Sequence, residues 1–134
     1  MPLQRESALP SFVPEPARPL TATEHAVLAA VLDRPFEGSD ALRVQALDVR
    51  ARRGCECGCG TIELVPQVST PLSNAASPVP SEATIVDEAG EPVGGVLLFV
   101  KDGLLSSLEV YSTTEGPLQM PALESLRWDT IPRA

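Results

Sequence analysis

The chain has 134 residues, and 14 of them are prolines, about twice the share of an average protein. Its hydrophobic content of 43% suits one globular domain, and the composition excludes collagen, a coiled coil and a disulfide-rich mini-protein. The formal net charge of −8 favours a basic protein partner and argues against binding to nucleic acid or to an anionic membrane.

The N-terminal third predicts an extended arm followed by a helix. Residues 1–20 contain five prolines and no apolar periodicity, which is typical of an extended, flexible arm. Thr21 and Glu24 then have the spacing of a capping box, and Pro35 ends the pattern that follows. A helix is therefore predicted over residues 22–33, packed on a sheet through an apolar stripe that consists of Val27, Leu28, Val31 and Leu32.

The middle of the chain predicts a short second helix and two strands. Ser39 and Asp40 are good helix-capping residues before an apolar stretch. Apolar and polar side chains then alternate over residues 47–52 and 61–64, as they do in half-buried strands. Residues 66–82 contain four prolines, and we expect a long, disordered loop there.

The last third predicts a short strand at 83–86 and a hairpin of strands 93–101 and 104–112. Asp102-Gly103 is typical of a two-residue hairpin turn, in which both residues need positive φ. An uninterrupted register from this turn places Leu97 opposite Leu108, Leu98 opposite Ser107 and Val96 opposite Glu109. Residues 121–126 fit a single helical turn that begins at Pro121.

Together these elements predict an α+β fold, an antiparallel sheet of about five strands with one main N-terminal helix packed on a face. The predicted domain spans residues 21–128, with the loop at 66–82 inside it and a tail at 129–134. The strand at 93–101 is apolar on both faces, so we expect it to be central and covered on both sides. A second helix, the C-terminal segment or a partner protein could supply the second cover.

Three closely spaced cysteines, Cys55, Cys57 and Cys59, lie among glycines between the two middle strands. Thiolates are zinc ligands, and His25, the only histidine, could complete a set of four. One residue between cysteines is closer than the usual spacing of ligand pairs, and it also makes a strained disulfide. Packing of small thiols in a tight turn, a metal site and thiol redox chemistry all stay open as interpretations.

Other patterns of catalysis or targeting are not evident in the sequence. A nucleophile would have only His25 as its base, and no phosphate-binding loop is present, so an enzyme is not predicted. Arg50, Arg52 and Arg53 are expected to form a solvated strand end that pairs with carboxylates. No apolar run approaches the ~20 residues that span a bilayer or resembles a signal peptide, and the closely spaced thiols suit a reducing compartment. These features predict a cytoplasmic protein.

The stretch from Leu20 to Leu126 resembles a group of small, uncharacterised proteins of high-GC Gram-positive bacteria. The residues that carry this resemblance are Leu20-Thr21, the three cysteines, Leu97–Val100, Asp102-Gly103, Leu105, Leu108, Glu109 and Tyr111. Proteins of this group include some that look like immunity partners of toxins. The resemblance therefore favours a binding protein. Together with the acidic charge, it predicts a non-enzymatic protein-binding domain, an immunity-type inhibitor of a basic toxin or other partner protein. The alternative, suggested by the three cysteines, is a small zinc module with a structural or sensing role.

Overall fold

The computed structural model describes residues 16–54, 58–67 and 70–128, so most of the predicted arm and the whole predicted tail lie outside the described residues. The helices are α1 (Ala22–Asp33) and α2 (Ser39–Ala46). The strands are β1 (Arg18–Pro19), β2 (Arg50–Arg53), β3 (Ile62–Val65), β4 (Ala83–Val86), β5 (Pro92–Lys101), β6 (Leu104–Ser112) and β7 (Leu126–Trp128). A 3-10 turn at Leu123–Ser125 replaces the predicted helical turn.

The strands form one antiparallel sheet in the order β1-β2-β3-β6-β5-β4-β7. The α+β class is confirmed, but within the described ranges the sheet has seven strands and not about five. The two strands that were not predicted are the edge strands: β1 pairs with Arg50 and Ala51, and β7 pairs with Ala83–Ile85. Their two and three residues are too few for a recognisable alternation, because such short edges form only when a neighbouring strand supplies the hydrogen bonds.

The start of α1 is held by the predicted capping box and by an arginine. Thr21 Oγ1 accepts the Glu24 N–H, while Glu24 Oε1 accepts the Thr21 N–H at 2.9 Å. Arg18 donates from Nη1 and Nη2 to the two carboxylate oxygens of Glu24 at 2.8 and 2.9 Å. Burial raises the pKa of the Glu24 carboxyl, but the Arg18 and Thr21 hydrogen bonds outweigh burial, so its pKa lies below its ordinary value.

Both helices pack on the same face of the sheet, which we call the inner face. The predicted stripe of α1 is buried and is joined by Leu42 of α2. The inner face contributes the side chains of Ala51, Ile62, Leu64, Ala83, Ile85, Val96, Leu98, Leu105, Leu108, Val110 and Leu126. Burial of this apolar surface is the main force that holds the helices on the sheet.

The register of the β5–β6 hairpin differs from the prediction by a β-bulge. The turn is as predicted, with φ of 54° at Asp102 and 83° at Gly103. Beyond Val100, however, the register shifts by one residue, so Leu98 pairs with Leu108 and Val96 with Val110. The predicted register would place Ser107 and Glu109 beside Leu98 and Val96 on the inner face, and burying those polar groups without partners is costly. The extra residue on β6 avoids that cost.

Residues 70–82 contain no helix or strand, yet hydrogen bonds give this segment a defined path. Ser73 donates its N–H to Gly103 O of the hairpin turn at 2.9 Å and its Oγ hydroxyl to Gly38 O at 2.8 Å. Val79 is buried and donates its N–H to Leu98 O at 2.9 Å. The composition had favoured disorder, because the sequence does not reveal these long-range contacts.

Candidate functional site

The side of the sheet that faces away from the helices, here called the outer face, has no helix over it in the part of the chain that the structure describes. Its residues alternate with the inner-face residues along each strand. Its central side chains are Thr84 of β4, Leu97 and Phe99 of β5, and Ser107, Glu109 and Tyr111 of β6. Arg52, Glu63 and Arg127 continue the face on the neighbouring strands.

An apolar patch occupies the centre of the outer face and consists of Leu97, Phe99 and Tyr111. Leu97 and Phe99 are half-buried, while Tyr111 remains 41% exposed. The Tyr111 ring covers Gly95, its direct partner on β5, where an added Cβ would stand 2.4 Å from Tyr111 Oη. Gly95 therefore lets the tyrosine ring approach the strand, as aromatic rings do over glycines in sheets.

This patch was not predicted from the sequence, because the predicted register put Leu97 and Phe99 on the opposite face of the hairpin from Tyr111. The predicted register paired Leu97 with Leu108. In the structure, Leu97 is opposite Glu109 on the outer face, and its neighbour Leu98 is the one that pairs with Leu108 and faces the helices. A signal was present: the adjacent polar residues Ser106 and Ser107 interrupt the apolar pattern of β6, as expected near a bulge. The central position of β5, between β4 and β6, is as expected from its apolar character.

Acidic side chains outnumber basic ones in the C-terminal half of the chain, which includes the strands that carry the patch. Residues 82–128 contain eight acidic and only two basic side chains, and Glu109 lies directly beside Leu97. The β4–β5 turn carries Asp87, Glu88 and Glu91, all exposed. Asp87 Oδ1 accepts the N–H groups of Ala89 and Glu91 at 2.9 Å, which fixes the turn. The potential at this end of the sheet is therefore negative.

A depression of about 270 Å³ opens on the outer face where β3 and β6 separate. These strands pair only at Ile62–Leu108 and Glu63–Ser107 and then diverge towards the hairpin turn. Beneath the gap, the fully buried Gln45 of α2 accepts the Leu105 N–H at 2.8 Å and donates to the carbonyls of Pro71 and Gly103. Gln45 thus satisfies a strand N–H group that β3 does not reach.

The candidate zinc ligands are only partly visible. Cys55 and Cys57 lie outside the described residues, and Cys59 is half-buried. Within ranges 16–54, 58–67 and 70–128, no group of three or more His, Cys, Asp or Glu side chains is arranged to hold a metal ion. His25 is exposed on α1 and lines a groove of about 370 Å³ between α1 and α2, with Leu28, Ala29, Leu32, Asp33, Arg43, Ala46 and Leu47.

Residues 58–60, at the C-terminal end of the cysteine cluster, are packed against residues 117–120. Gly60 donates its N–H to Leu118 O at 2.8 Å, and the Gln119 amide donates to Gly58 O. A Cβ on Gly60 would lie 2.2 Å from Met120 N, so only glycine allows this approach. The glycine at this position therefore has a packing role that needs no metal.

Within the described ranges, Arg52 shows the predicted pairing of the arginine cluster with a carboxylate. Arg52 Nη1 lies 3.5 Å from Glu63 Oε1 across the β2–β3 pair. Arg50 instead donates to the carbonyl of Ala17 at 3.3 Å.

Comparisons with known proteins do not assign this chain to a family: no protein-family model, curated protein or solved structure matches it. None of the helices in the described ranges is long and apolar enough to cross a membrane.

Proposed function

We propose that the chain is a non-enzymatic protein-binding domain that docks a basic protein on its outer face, in the manner of an immunity-type inhibitor. The observation that carries this proposal is the apolar patch of Leu97, Phe99 and Tyr111 on a sheet face that no helix of the described ranges covers. Partly exposed apolar groups that cluster on one face favour a contact surface, because apolar patches on protein surfaces often mark interaction sites.

The composition of the outer face supports a protein as the ligand. Protein interfaces have an apolar, aromatic centre and a polar rim, and tyrosine is enriched among the residues that dominate binding energy. Tyr111 and Phe99 supply such a centre, while Thr84, Ser107 and Glu109 supply polar neighbours. The side chains are held by paired strands, so little conformational entropy is lost when a partner binds.

Charge supports a basic partner. Residues 82–128 carry an acidic excess, Glu109 lies directly beside Leu97, and the whole chain carries −8. Complementary charge accelerates encounter and rejects acidic competitors, and its contribution weakens as salt screens it. An inhibitor of this kind acts by covering the surface of its target and needs no catalytic groups. The resemblance to immunity-type proteins and the thiols that suit a reducing compartment support this role in the cytoplasm.

Site-directed photo-crosslinking tests the proposal. Benzoylphenylalanine at Ser107 on the outer face is compared with the same residue at Ala29, which is exposed on α1. We expect one protein with a positive net charge to be captured from native extract through position 107 and not through position 29. The purified captured protein should then bind at least about tenfold more weakly to Phe99→Ser than to the wild type.

Two results would count against the proposal. Capture through position 29 alone would move the interface to the helices. A captured protein that binds wild type and Phe99→Ser with equal affinity would show that the outer face is not the contact surface. Arg34→Gln, a change on the helix side of the molecule, is the matched control and should leave affinity unchanged.

A zinc module is the alternative function, with Cys55, Cys57 and Cys59 as ligands. Its test is metal analysis of protein purified without a histidine tag, together with a count of reactive thiols. About one zinc per chain with shielded thiols, and unfolding of Cys57→Ala, would support the alternative. Three thiols that titrate on denaturation in metal-free protein would remove it.

A further inference from the structure

The depression between β3 and β6 has features of a ligand site. Its walls come from β2, β3, the end of β5 and the start of β6, together with Pro66 and with Asp102 of the hairpin turn. At about 270 Å³ it is slightly smaller than pockets for drug-sized ligands, which begin at roughly 300 Å³. A single residue or a small organic acid is the size that it suits.

Arg52 is the unusual side chain in this depression. It is only 28% exposed, and its one hydrogen bond in the described ranges is the 3.5 Å contact from Nη1 to Glu63 Oε1. The Nε–H group is shielded from water and has no acceptor among those residues. A guanidinium has five N–H donors, and a buried donor that lacks an acceptor is costly. An anion in the depression would be attracted to the part of this guanidinium that remains exposed, whereas a cation would be repelled.

The other lining residues narrow the ligand further. Lys101, at the end of β5, adds a second positive charge, and Val65, Pro66 and Leu104 provide apolar wall. Glu63 and Asp102 also line the depression, so a dianion such as phosphate would meet two carboxylates. With two cationic and two carboxylate side chains in the lining, the depression suits at most a single negative charge, on a short apolar stem.

We propose that this depression binds a carboxylate carried on a short, branched aliphatic stem. Arg52 and Lys101 would face the carboxylate, and Leu104 and Val65 would contact the stem. Carboxylate and guanidinium match in geometry, and charge-assisted hydrogen bonds between them are about twice as strong as neutral ones. The carboxylate can belong to a free small acid or to the C-terminal residue of another protein. The site stands independently of the proposed docking of a basic protein.

Titration of the ¹⁵N-labelled full chain, followed by amide NMR shifts, tests the proposal with three probes. N-acetyl-leucine mimics a C-terminal residue, isovalerate is a free acid with the same stem, and N-acetyl-leucinamide is the neutral control. We expect both acids to shift amides of Arg52, Glu63 and residues 101–105, and the neutral amide to leave them in place. Tighter binding of N-acetyl-leucine identifies a C-terminal residue as the source, and equal or tighter binding of isovalerate identifies a free acid.

Variants connect these shifts to the named groups. Arg52→Gln and Lys101→Gln should each weaken binding of the better acid, by about tenfold for Arg52→Gln, whereas Arg127→Gln on β7 should not. Equal shifts with the neutral amide, or no shifts with either acid, would overturn the proposal. Should Arg52→Gln fail to fold, Lys101→Gln on the exposed hairpin decides, because unchanged affinity in that variant would also overturn it.

Discussion

Leu97 and Leu98 are consecutive residues of the same strand, yet they have different environments. Leu98 is fully buried on the inner face against α1 and α2, whereas Leu97 is half-buried on the outer face beside Glu109. The pleat of the strand alone makes this difference, because successive side chains point to opposite sides. One face of β5 thus serves stability, and we propose that the other serves binding.

The largest expected effect separates these two leucines directly. Leu98→Ala removes buried methyl groups and leaves a cavity beneath the helices, so we expect a loss of about 2–5 kcal/mol in the free energy of unfolding. Leu97→Ala should cost about 1 kcal/mol or less, because its side chain already contacts water. Denaturant unfolding of both variants measures the difference. Equal losses would show that the outer face is covered as tightly as the inner face.

Gln45 extends the comparison of the two faces, because it is a fully buried polar side chain on the helix side of the sheet. Gln45→Leu keeps the volume but leaves the Leu105 N–H and the Pro71 carbonyl without their partner. We expect a loss of about 1–3 kcal/mol in the free energy of unfolding. Gln119→Leu is the matched control, since the amide of Gln119 is exposed and, among the described residues, donates one hydrogen bond, to Gly58 O. A Gln45→Leu variant as stable as the control would contradict the role of this amide.

Glu24 links the first turn of α1 to the sheet edge, and its effect depends on pH. Glu24→Gln weakens the Arg18 fork and the capping box, which should cost about 1 kcal/mol at pH 7. The folded-state pKa lies below the ordinary value of 4.5, so the charged carboxylate stabilises the fold above that pH. The advantage of the wild type should therefore decline as pH falls below 4.5.

Unfolding curves between pH 3 and pH 7 test this dependence. The control is Asp40→Asn, which removes the exposed ion pair with Arg43 and should change stability little at any pH. A wild-type advantage over Glu24→Gln that grows as pH falls would contradict the assignment.

The smallest expected effect lies on the outer face. Gly95→Ala forces the Tyr111 ring away from β5, at a cost of about 0.5–1 kcal/mol in the free energy of unfolding. Since Tyr111 is the only tyrosine, its ring signals in NMR report this movement without ambiguity. In a Tyr111→Ala background the same glycine change should cost much less. Equal costs in both backgrounds would show that the ring and Gly95 are not coupled.

Sequence predicted the parts of this fold that depend on local chemistry. The capping box of Thr21 and Glu24 and the turn at Asp102-Gly103 need only neighbouring residues, and both occur where they were expected. The bulge near Ser106 was missed because its local signal is limited to two adjacent polar residues, Ser106 and Ser107, although the extra residue on β6 shifts the register of every later pair. The two edge strands depend on neighbours far away in the chain.

The candidate site was harder to predict for the same reason. Sequence analysis singled out Cys55, Cys57 and Cys59 by their spacing, whereas the outer face becomes visible only when the corrected register sets Leu97, Phe99 and Tyr111 on one side. Arg52 was identified as part of a basic cluster. No local pattern encodes the separation of β3 from β6 that opens the depression beside Arg52, or the Arg52 Nε–H that has no acceptor among the described residues.

The most direct test of the difference between the two faces measures affinity and stability on the same variant. Phe99→Ser is examined for its dissociation constant with the captured partner and for its free energy of unfolding. We predict binding at least about tenfold weaker, with a change in unfolding free energy of about 1 kcal/mol or less. Unchanged affinity, or a loss of affinity explained by an unfolded chain, would contradict the assignment of binding to the outer face.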